Sequence, residues 1–209
     1  MDYETLMKQE ESNLPLKVVD IKQNDKDQGA LIIYTSGTTG SPKAVVYTYS
    51  NLLNQIACLC KAWEWTEKDH ILHCLPLHHV HGIINALCCP LYSAATVQFV
   101  KFHSDIVWNK LTNLDPHQKE IAKEVNVFMA VPTIYVKMIH FYDDLSKETQ
   151  QLYSNEIKRM RLMVSGSAAL PSPVFTKWKN ITSHPLLERY GMSEIGMALS
   201  NLYKPEESR

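Results

Sequence analysis

The stretch LIIYTSGTTGSPK, residues 31–43, joins a short apolar run to a loop rich in glycine and hydroxyl side chains. The apolar part, residues 31–35, has the length and composition of a buried β-strand. Apolar residues at helical spacing follow over residues 52–63, with Thr48 or Ser50 as the N-cap. The sequence therefore predicts a strand, a glycine-rich loop and a helix in that order.

The same alternation of strand and helix continues along the chain. Short apolar runs typical of strands recur at residues 71–75, 96–100, 125–130, 161–165 and 186–190. Helical spacing or a helix-opening proline follows four of these runs, at residues 83–92 and 105–114 and from Pro132 and Pro171. Strands that alternate with helices predict an α/β fold with a mainly parallel sheet flanked by helices.

Four polar stretches flank or interrupt this pattern. Residues 1–28 are predicted to be a polar lead-in to a core over residues 29–203, and residues 204–209 a polar tail. Residues 114–124 are expected to form a surface excursion, and residues 143–158 a solvated helix.

The composition argues against several classes of protein. The chain has 209 residues, a formal net charge of −1 and 45% hydrophobic residues, which suffices for a sizeable core. Lysine and arginine are scattered along the sequence and do not form the kind of run that indicates a nucleic-acid partner. The longest apolar stretch, residues 83–100, contains Pro90 and is too mixed to predict a transmembrane segment. The five cysteines show no C-x-x-C spacing and are expected to be buried, reduced thiols.

The loop after the first strand has the chemistry of a phosphate-binding site. Gly37 and Gly40 allow a tight turn and close approach of backbone N–H groups to an anion. Lys43 adds a positive charge that suits a triphosphate or its pyrophosphate product. The other positions carry hydroxyl groups or a stiffening proline: Thr35, Ser36, Thr38, Thr39, Ser41 and Pro42. The spacing is not that of a Walker loop, and without its flanking strand and helix it would indicate only a flexible turn.

Two further motifs follow strands near the end of the chain. In YGMSE, residues 190–194, Glu194 can hold Mg²⁺ beside phosphates, Ser193 can reach a phosphate oxygen and Tyr190 can stack on a base. The small residues 166–168 permit close approach of a flat ligand, or simply a tight turn. Because ligands of open α/β sheets lie beyond the carboxyl ends of strands, we expect these motifs to face one crevice.

Three histidines stand close together in the sequence LPLHHVHG, residues 75–82. Such a cluster invites a metal interpretation, but the sequence supplies no obvious completing ligand at zinc-site spacing. We expect His79 instead to form a polar wall of a substrate cleft.

At these motifs the chain resembles the adenylate-forming superfamily of acyl-CoA synthetases, firefly luciferase and peptide-synthetase adenylation domains. The resemblance covers residues 31–202, and the strings at residues 72–82, 127–135 and 161–171 are similar to malonyl-CoA synthetases of the mitochondrial type. It implies the central part of the large N-terminal domain of such an enzyme. The implied reaction has two steps: a carboxylate attacks the α-phosphate of MgATP, and CoA then displaces AMP.

The resemblance also implies a role for each motif. The loop would hold the β- and γ-phosphates, Ser193 would touch the α-phosphate, and Glu194 would bind Mg²⁺. Together with Lys43, these two residues form the implied catalytic set. The implied ATP-binding set is Thr35, Ser36, Gly37, Thr38, Thr39, Gly40, Ser41, Pro42, Lys43, Gly166, Ser167, Ala168, Tyr190, Gly191 and Ser193.

The implied acyl pocket contains His79, Thr133, Arg161 and Met192. A dicarboxylate such as malonate or methylmalonate keeps one carboxylate unreacted, and that charge needs a partner. Arg161 is the predicted partner because a guanidinium can bind a carboxylate through two hydrogen bonds. A surface arginine at a strand start is the alternative.

The sequence also departs from the pattern of the superfamily. Ala44 stands where glycine is usual, and its methyl group is expected to crowd or restrict the loop. Superfamily members are much longer, so the ribose-binding Asp motif, the hinge and the C-terminal domain with the catalytic lysine are expected to be absent from residues 1–209.

Three hypotheses of function follow. The chain is the core of an acyl-CoA synthetase that uses ATP, Mg²⁺ and CoA on a small carboxylate. It is alternatively a truncated, catalytically incomplete fragment or isoform that binds nucleotide or a full-length partner, or an unstable fragment without function. The resemblance implies a mitochondrial location, whereas the acidic N-terminus has no presequence character, which leaves the cytoplasm as the alternative.

Overall fold

The computed structural model of the chain describes residues 26–37, 40–114 and 124–203. Its strands are β1 (Gly29–Thr35), β2 (Lys43–Thr48), β3 (His70–His73), β4 (Thr96–Phe99), β5 (Val127–Ala130), β6 (Leu162–Ser165), β7 (Leu187–Met192) and β8 (Gly196–Ser200). Its helices are α1 (Tyr49–Ala62), a π-helix (His81–Cys88), α2 (Cys89–Tyr92), α3 (Ser104–Leu111), α4 (Pro132–Asp143), α5 (Lys147–Glu156), a 3-10 turn (Ile157–Arg159) and α6 (Ser172–Thr182). Most of the predicted lead-in, Thr38, Thr39, residues 115–123 and the tail lie outside the described residues.

A six-stranded sheet in the order β4-β3-β5-β6-β7-β8 forms the centre of the fold. Its first five strands are parallel, and β8 runs antiparallel to β7. The predicted α/β fold with a mainly parallel sheet is therefore confirmed. Because β3, β5, β6 and β7 run in the same direction, the loops that follow them meet at one edge of the sheet.

Alternate residues of the central strands pack into two cores on opposite faces of the sheet. Met129 and Val164 belong to the core that contains α1, the π-helix and the β1–β2 hairpin. Phe128 and Met163 belong to the core that contains α3, α4, α5 and α6. Strands buried on both faces give the site a rigid base.

The loop rich in glycine connects two strands, which differs from the sequence prediction. Lys43–Thr48 forms β2, which pairs antiparallel with β1, so the loop is the turn of a β-hairpin. The hairpin packs only one face against the core: Ile33 is 3% exposed, whereas Ile32 and Tyr34 are 55% and 67% exposed. The prediction of a buried strand at residues 31–35 is thus wrong for one face.

The YGMSE segment also lies in a hairpin rather than at the end of a last strand. β7 continues through Met192, residues 193–195 turn, and β8 returns along β7. Ser193 and Glu194 are therefore presented on a short turn whose two ends are held by paired strands.

Helix starts agree with the prediction in outline. Thr48 rather than Ser50 caps α1, with its Oγ1 accepting from the Asn51 N–H at 3.1 Å. Pro171 is the N-cap of α6, and the first-turn proline is Pro173. The polar stretch over residues 143–158 contains α5 as predicted. Among the described residues, we find no helix with the length and apolar character that a membrane crossing requires.

Candidate active site

The glycine-rich loop between β1 and β2, which we call the phosphate-type loop, brings the backbone of Gly37 close to that of Ser41. Gly37 has φ +67°, and a Cβ at this position would lie 2.1 Å from the Ser41 carbonyl oxygen, so only glycine fits. The Thr35 hydroxyl reaches the Lys43 carbonyl at 3.5 Å. Lys43 is exposed where β2 begins. The described part of the loop therefore presents a cation and a tight turn to solvent.

Ala44 does not crowd this loop. It lies in the extended strand β2 opposite Tyr34 and is exposed to solvent. Because an extended backbone accepts any L-residue, the Cβ of alanine causes no strain here. The expected restriction is not observed.

Two cavities, each of about 580 Å³, lie at the carboxyl edge of the sheet. The first, which we call the tyrosine cavity, is lined by Ser167, Ala168, Tyr190 and Gly191 among others. Tyr190 is 59% exposed, so its ring is available for stacking. The structure thus brings together Ser167, Ala168 and Tyr190, which the sequence predicted to contact a flat ligand or a base, whereas Gly166 does not line this cavity.

The second cavity, which we call the histidine cavity, lies between the loop after β3, the start of α4 and β7. His79 and Met192 line it, as does Ser193. Thr133 is exposed and does not line it, although its neighbours Val131 and Ile134 do. The two cavities share three residues, Ser167, Arg189 and Gly191, so a ligand in one can meet a ligand in the other.

Arg189 lies at the junction of the two cavities and is 6% exposed. Its Nη2 donates to Ser167 Oγ at 3.3 Å, and its Nη1 points to the Met197 sulfur. Its guanidinium lies so close to Gly166 that a Cβ there would be 2.7 Å from Nε. Burial lowers the pKa of Arg189 to about 10, so the group stays protonated at neutral pH.

No carboxylate in the described ranges pairs with Arg189, and its buried Nε has no hydrogen-bond partner there. A buried cation without a counter-charge is unfavourable in free energy unless an anion neutralises it. The described residues therefore form a site that favours a small anion at the junction of the cavities.

His81 completes this anion site. It is 2% exposed, and its Nδ1 lies 3.3 Å from Ser167 Oγ. Burial, with the charge of Arg189 and with His73 nearby, lowers the pKa of His81 well below its usual range. The neutral ring leaves Nε2 buried and unpartnered within the described part of the chain, free to bind a ligand. Ser167, which links both side chains, has φ +68°, a strained conformation typical of functional sites.

His73 holds the loop of histidines against the π-helix. Its Nδ1 accepts from the Leu75 N–H at 3.2 Å, so its Nε2 carries the proton that it donates to the Gly82 carbonyl at 3.0 Å. These two bonds join the end of β3 to the first turn of the helix that carries His81. A π-helix is rare and often marks a functional site.

Arg161 lies at the opposite edge of the sheet. Its Nε and Nη2 donate to the two carboxylate oxygens of Asp69 at 2.6 and 2.7 Å, and its Nη1 donates to the Trp63 carbonyl at 2.9 Å. Arg161 and Gly166 flank the two ends of β6. At roughly 3.3 Å per residue, this strand holds the two residues about 16 Å apart. The structure thus contradicts the assignment of Arg161 to the acyl pocket, because its guanidinium already has an acidic partner.

Sequence reasoning missed Arg189 and His81. The sequence carries no clear signal for Arg189, because only the structure shows that Arg189 is buried while its neighbours Glu188 and Tyr190 are exposed. An arginine on the inner face of a strand, beside a motif that binds a ligand, is a candidate for binding an anion. Nor does any pattern distinguish His81 from His79, because only the structure shows that His81, the first residue of the π-helix, is buried while His79 is exposed.

Curated relatives match most of this chain. It is 52% identical over 188 residues to the mitochondrial malonate–CoA ligase of Bos taurus, covering 87% of this chain and 30% of that protein. It is 49% identical over 177 residues to malonate–CoA ligase of Arabidopsis thaliana, covering 84% of this chain and 29% of that protein. The chain thus spans about a third of the length of the curated relatives that it matches.

Solved structures agree with these relatives. Apo MatB from Rhodopseudomonas palustris superimposes with a TM-score of 0.73 at 31% identity, covering 87% of this chain and 32% of that one. A malonyl-CoA ligase in a ternary product complex with methylmalonyl-CoA and AMP gives a TM-score of 0.76 at 31% identity, covering 87% and 36%. The family model described as AMP-binding enzyme matches residues 2–209. The resemblance inferred from the motifs is confirmed, and the chain belongs to the AMP-binding enzyme family.

Proposed function

We propose that this chain provides the nucleotide- and acyl-binding part of an acid–CoA ligase. The proposed substrate is a small dicarboxylate, malonate or methylmalonate, activated with ATP and Mg²⁺ and transferred to CoA. The observation that carries the proposal is the buried, protonated Arg189 at the junction of two cavities, without an acidic partner in the described ranges.

A dicarboxylate supplies the anion that this site favours. One carboxylate stays charged throughout the reaction, and Arg189 can bind it with charge-assisted hydrogen bonds. Ser167 and the neutral His81 add a hydroxyl and a ring nitrogen to the same site. A monocarboxylic acid with an apolar tail would leave the buried guanidinium unpaired, which disfavours its binding. The site is therefore selective through charge.

The second carboxylate of such a substrate would point toward the nucleotide. Gly191 and Ser193 lie on the rim of the histidine cavity, and Gly191 also lines the tyrosine cavity, where the adenine is proposed to bind. Attack of a carboxylate on a phosphate needs positioning and neutralisation of charge more than covalent assistance. Ser193 is proposed to bind the α-phosphate, and the residues from Thr35 to Lys43 the β- and γ-phosphates.

Glu194 fits a role as a Mg²⁺ ligand. Mg²⁺ is usually held by one or two carboxylates together with substrate phosphates and water, and Glu194 is an exposed carboxylate on the turn beside Ser193. When bound, the ion would neutralise charge on the phosphates. The chain's own contribution is to hold this carboxylate and the Ser193 hydroxyl on one short turn.

The proposal is tested with titration calorimetry and with ATP–pyrophosphate exchange. MgATP is titrated into the chain, and exchange is measured with malonate, methylmalonate and acetate, in this chain and in any longer form that its gene encodes. We expect MgATP binding by the chain, and exchange that depends on malonate or methylmalonate far more than on acetate. Exchange supported only by acetate would contradict the dicarboxylate site. Binding without exchange in either form would favour an incomplete nucleotide-binding protein.

We also propose a mitochondrial location. The bovine and human relatives are named mitochondrial, at 52% and 50% identity, whereas the Arabidopsis relative is not so named. Fractionation of cells that express the protein with a C-terminal tag tests this location, and recovery in the cytosol alone would contradict it.

A further inference from the structure

Two side chains from outside the β7–β8 hairpin form hydrogen bonds to the turn that carries Ser193 and Glu194 or to the residues next to it. The first is Tyr47 in β2, whose hydroxyl donates to the Ser193 carbonyl. The backbone of Gly196 interacts with the same hydroxyl, and the Glu194 carboxylate lies near enough to act on it electrostatically. One phenol group therefore bridges the start and the end of the turn.

The second side chain is Gln55 in α1. Its Oε1 accepts from the Met197 N–H at 2.8 Å, and its Nε2 donates to the Met197 carbonyl at 3.4 Å. Its amide lies so close to Gly196 that a Cβ there would be 2.1 Å from Oε1. Gly196 also has φ +66°, so both its conformation and this contact require glycine. Gln55 thus pairs with the first residues of β8 as another strand would.

Both side chains belong to the unit that begins at the phosphate-type loop. β2 starts at Lys43 and carries Tyr47 four residues later, and α1 follows directly with Gln55 two turns on. Tyr47 and Gln55 line a cleft of about 380 Å³ together with Glu194. The same rigid unit therefore anchors the loop proposed for the β- and γ-phosphates and the turn proposed for Mg²⁺.

We propose that Tyr47 and Gln55 are positioning residues that hold the Ser193–Glu194 turn in its ligand-binding geometry. This inference rests on the proposed function, because it assumes that the turn meets MgATP. A turn that is ordered before binding loses less conformational freedom when the ligand arrives, so it binds more tightly. Neither side chain needs to touch the nucleotide for this effect.

The experiment compares Tyr47→Phe and Gln55→Met with a matched control, Tyr153→Phe. Tyr47 and Tyr153 are both 7% exposed, and the Tyr153 hydroxyl donates to Asn109 Oδ1 at 2.6 Å, away from the turn. ATP affinity is measured by calorimetry over a range of Mg²⁺ concentrations. Since one buried hydrogen bond contributes about 1 kcal/mol, we expect each turn variant to need about fivefold more Mg²⁺ for half-maximal binding. The control should bind as the unaltered chain does.

Amide hydrogen exchange of residues 193–197 provides a readout that needs no ligand. We expect faster exchange in Tyr47→Phe and Gln55→Met and unchanged exchange in Tyr153→Phe. Failure of the unaltered chain to bind MgATP would contradict the proposed function, and the exchange data would then still decide whether the turn is fastened. Unchanged exchange in both turn variants, or a Mg²⁺ shift equally large in the control, would overturn this inference.

Discussion

At the residue scale, two arginines near neighbouring strands meet different surroundings: Arg161 is partly buried, and Arg189 is buried. Arg161 precedes β6 and is bound through two hydrogen bonds by Asp69, whose side chain is 2% exposed. Arg189 points from β7 to Ser167, and no described carboxylate lies beside it. An arginine that is already paired stabilises the fold, whereas an unpaired one is available for an anionic ligand.

Replacing Arg189 by methionine should abolish selective binding of a dicarboxylate. A hydrogen bond to a charged group contributes about 1.5–3 kcal/mol, so malonate affinity should fall by about 10-fold to 100-fold. Calorimetric titration of malonate measures this loss. Arg189→Lys is the control that keeps the charge but not the planar fork, and it should retain part of the affinity. Unchanged malonate binding in Arg189→Met would contradict the site.

Replacing Arg161 by methionine should affect stability and leave ligand binding intact. It leaves the buried Asp69 carboxylate without its partner, which should lower the free energy of unfolding by about 3 kcal/mol. Urea denaturation measures the loss. Lys177→Met is the control, because the Lys177–Asp143 pair is about half exposed at 2.8 Å and should contribute less than about 1 kcal/mol. Equal losses in both variants would show that burial of the pair is unimportant.

At the element scale, Thr48 couples β2 to α1. It is the last residue of the strand and the N-cap of the helix, and its hydroxyl accepts from the Asn51 N–H while the Asn51 side chain accepts from the Thr48 N–H. No linker separates the two elements, so the cap fixes the direction in which α1 leaves the hairpin. That direction places Gln55 against β8.

Replacing Thr48 by alanine should remove this cap. An N-cap change of this kind lowers the free energy of unfolding by about 1 kcal/mol. Denaturant unfolding checks the value, and Thr48→Ser, which keeps a hydroxyl group, should behave nearly as the unaltered chain. If serine and alanine prove equally destabilising, the hydroxyl cap contributes nothing.

Elements that the sequence predicted well are those with strong local signals. The four-residue strands β5 and β6 are mostly apolar runs buried on both faces, as their composition predicts, whereas β3 also buries His70 and His73 at its two ends. β2 and β8 were missed because KAVVYT and GMALS lack clean alternation. They are strands because β1 and β7 offer unpaired edges, which is a property of pairing and not of local propensity.

At the scale of the whole molecule, buried histidines tie stability to pH. Burial lowers the pKa of His73, and burial with nearby Arg189 and His73 lowers the pKa of His81 further. A histidine with a lowered pKa in the folded state favours folding above its ordinary value of about 6.5. That contribution is lost as the pH falls below this value, because the unfolded chain binds the proton more readily.

The melting temperature should therefore fall between pH 7 and pH 5. Each such histidine contributes a slope of up to about 1.4 kcal/mol per pH unit. Thermal unfolding followed by circular dichroism at several pH values measures it. His81→Gln should flatten the dependence, whereas His140→Gln, at an exposed position on α4, should leave it unchanged. A melting temperature independent of pH would show that His73 and His81 titrate alike in both states.

The sequence by itself determined the fold class, the family and the motifs that are proposed to bind nucleotide. These follow from local chemistry: Gly37 permits a backbone turn, Lys43 carries a charge, and Glu194 offers a carboxylate wherever the chain places them. Only the tertiary structure decided that Arg189 rather than Arg161 lies at the junction of the two cavities, and that Tyr47 bonds to a turn 146 residues away. Strand order and side-chain direction decide such contacts, because they bring together residues that are distant in the chain.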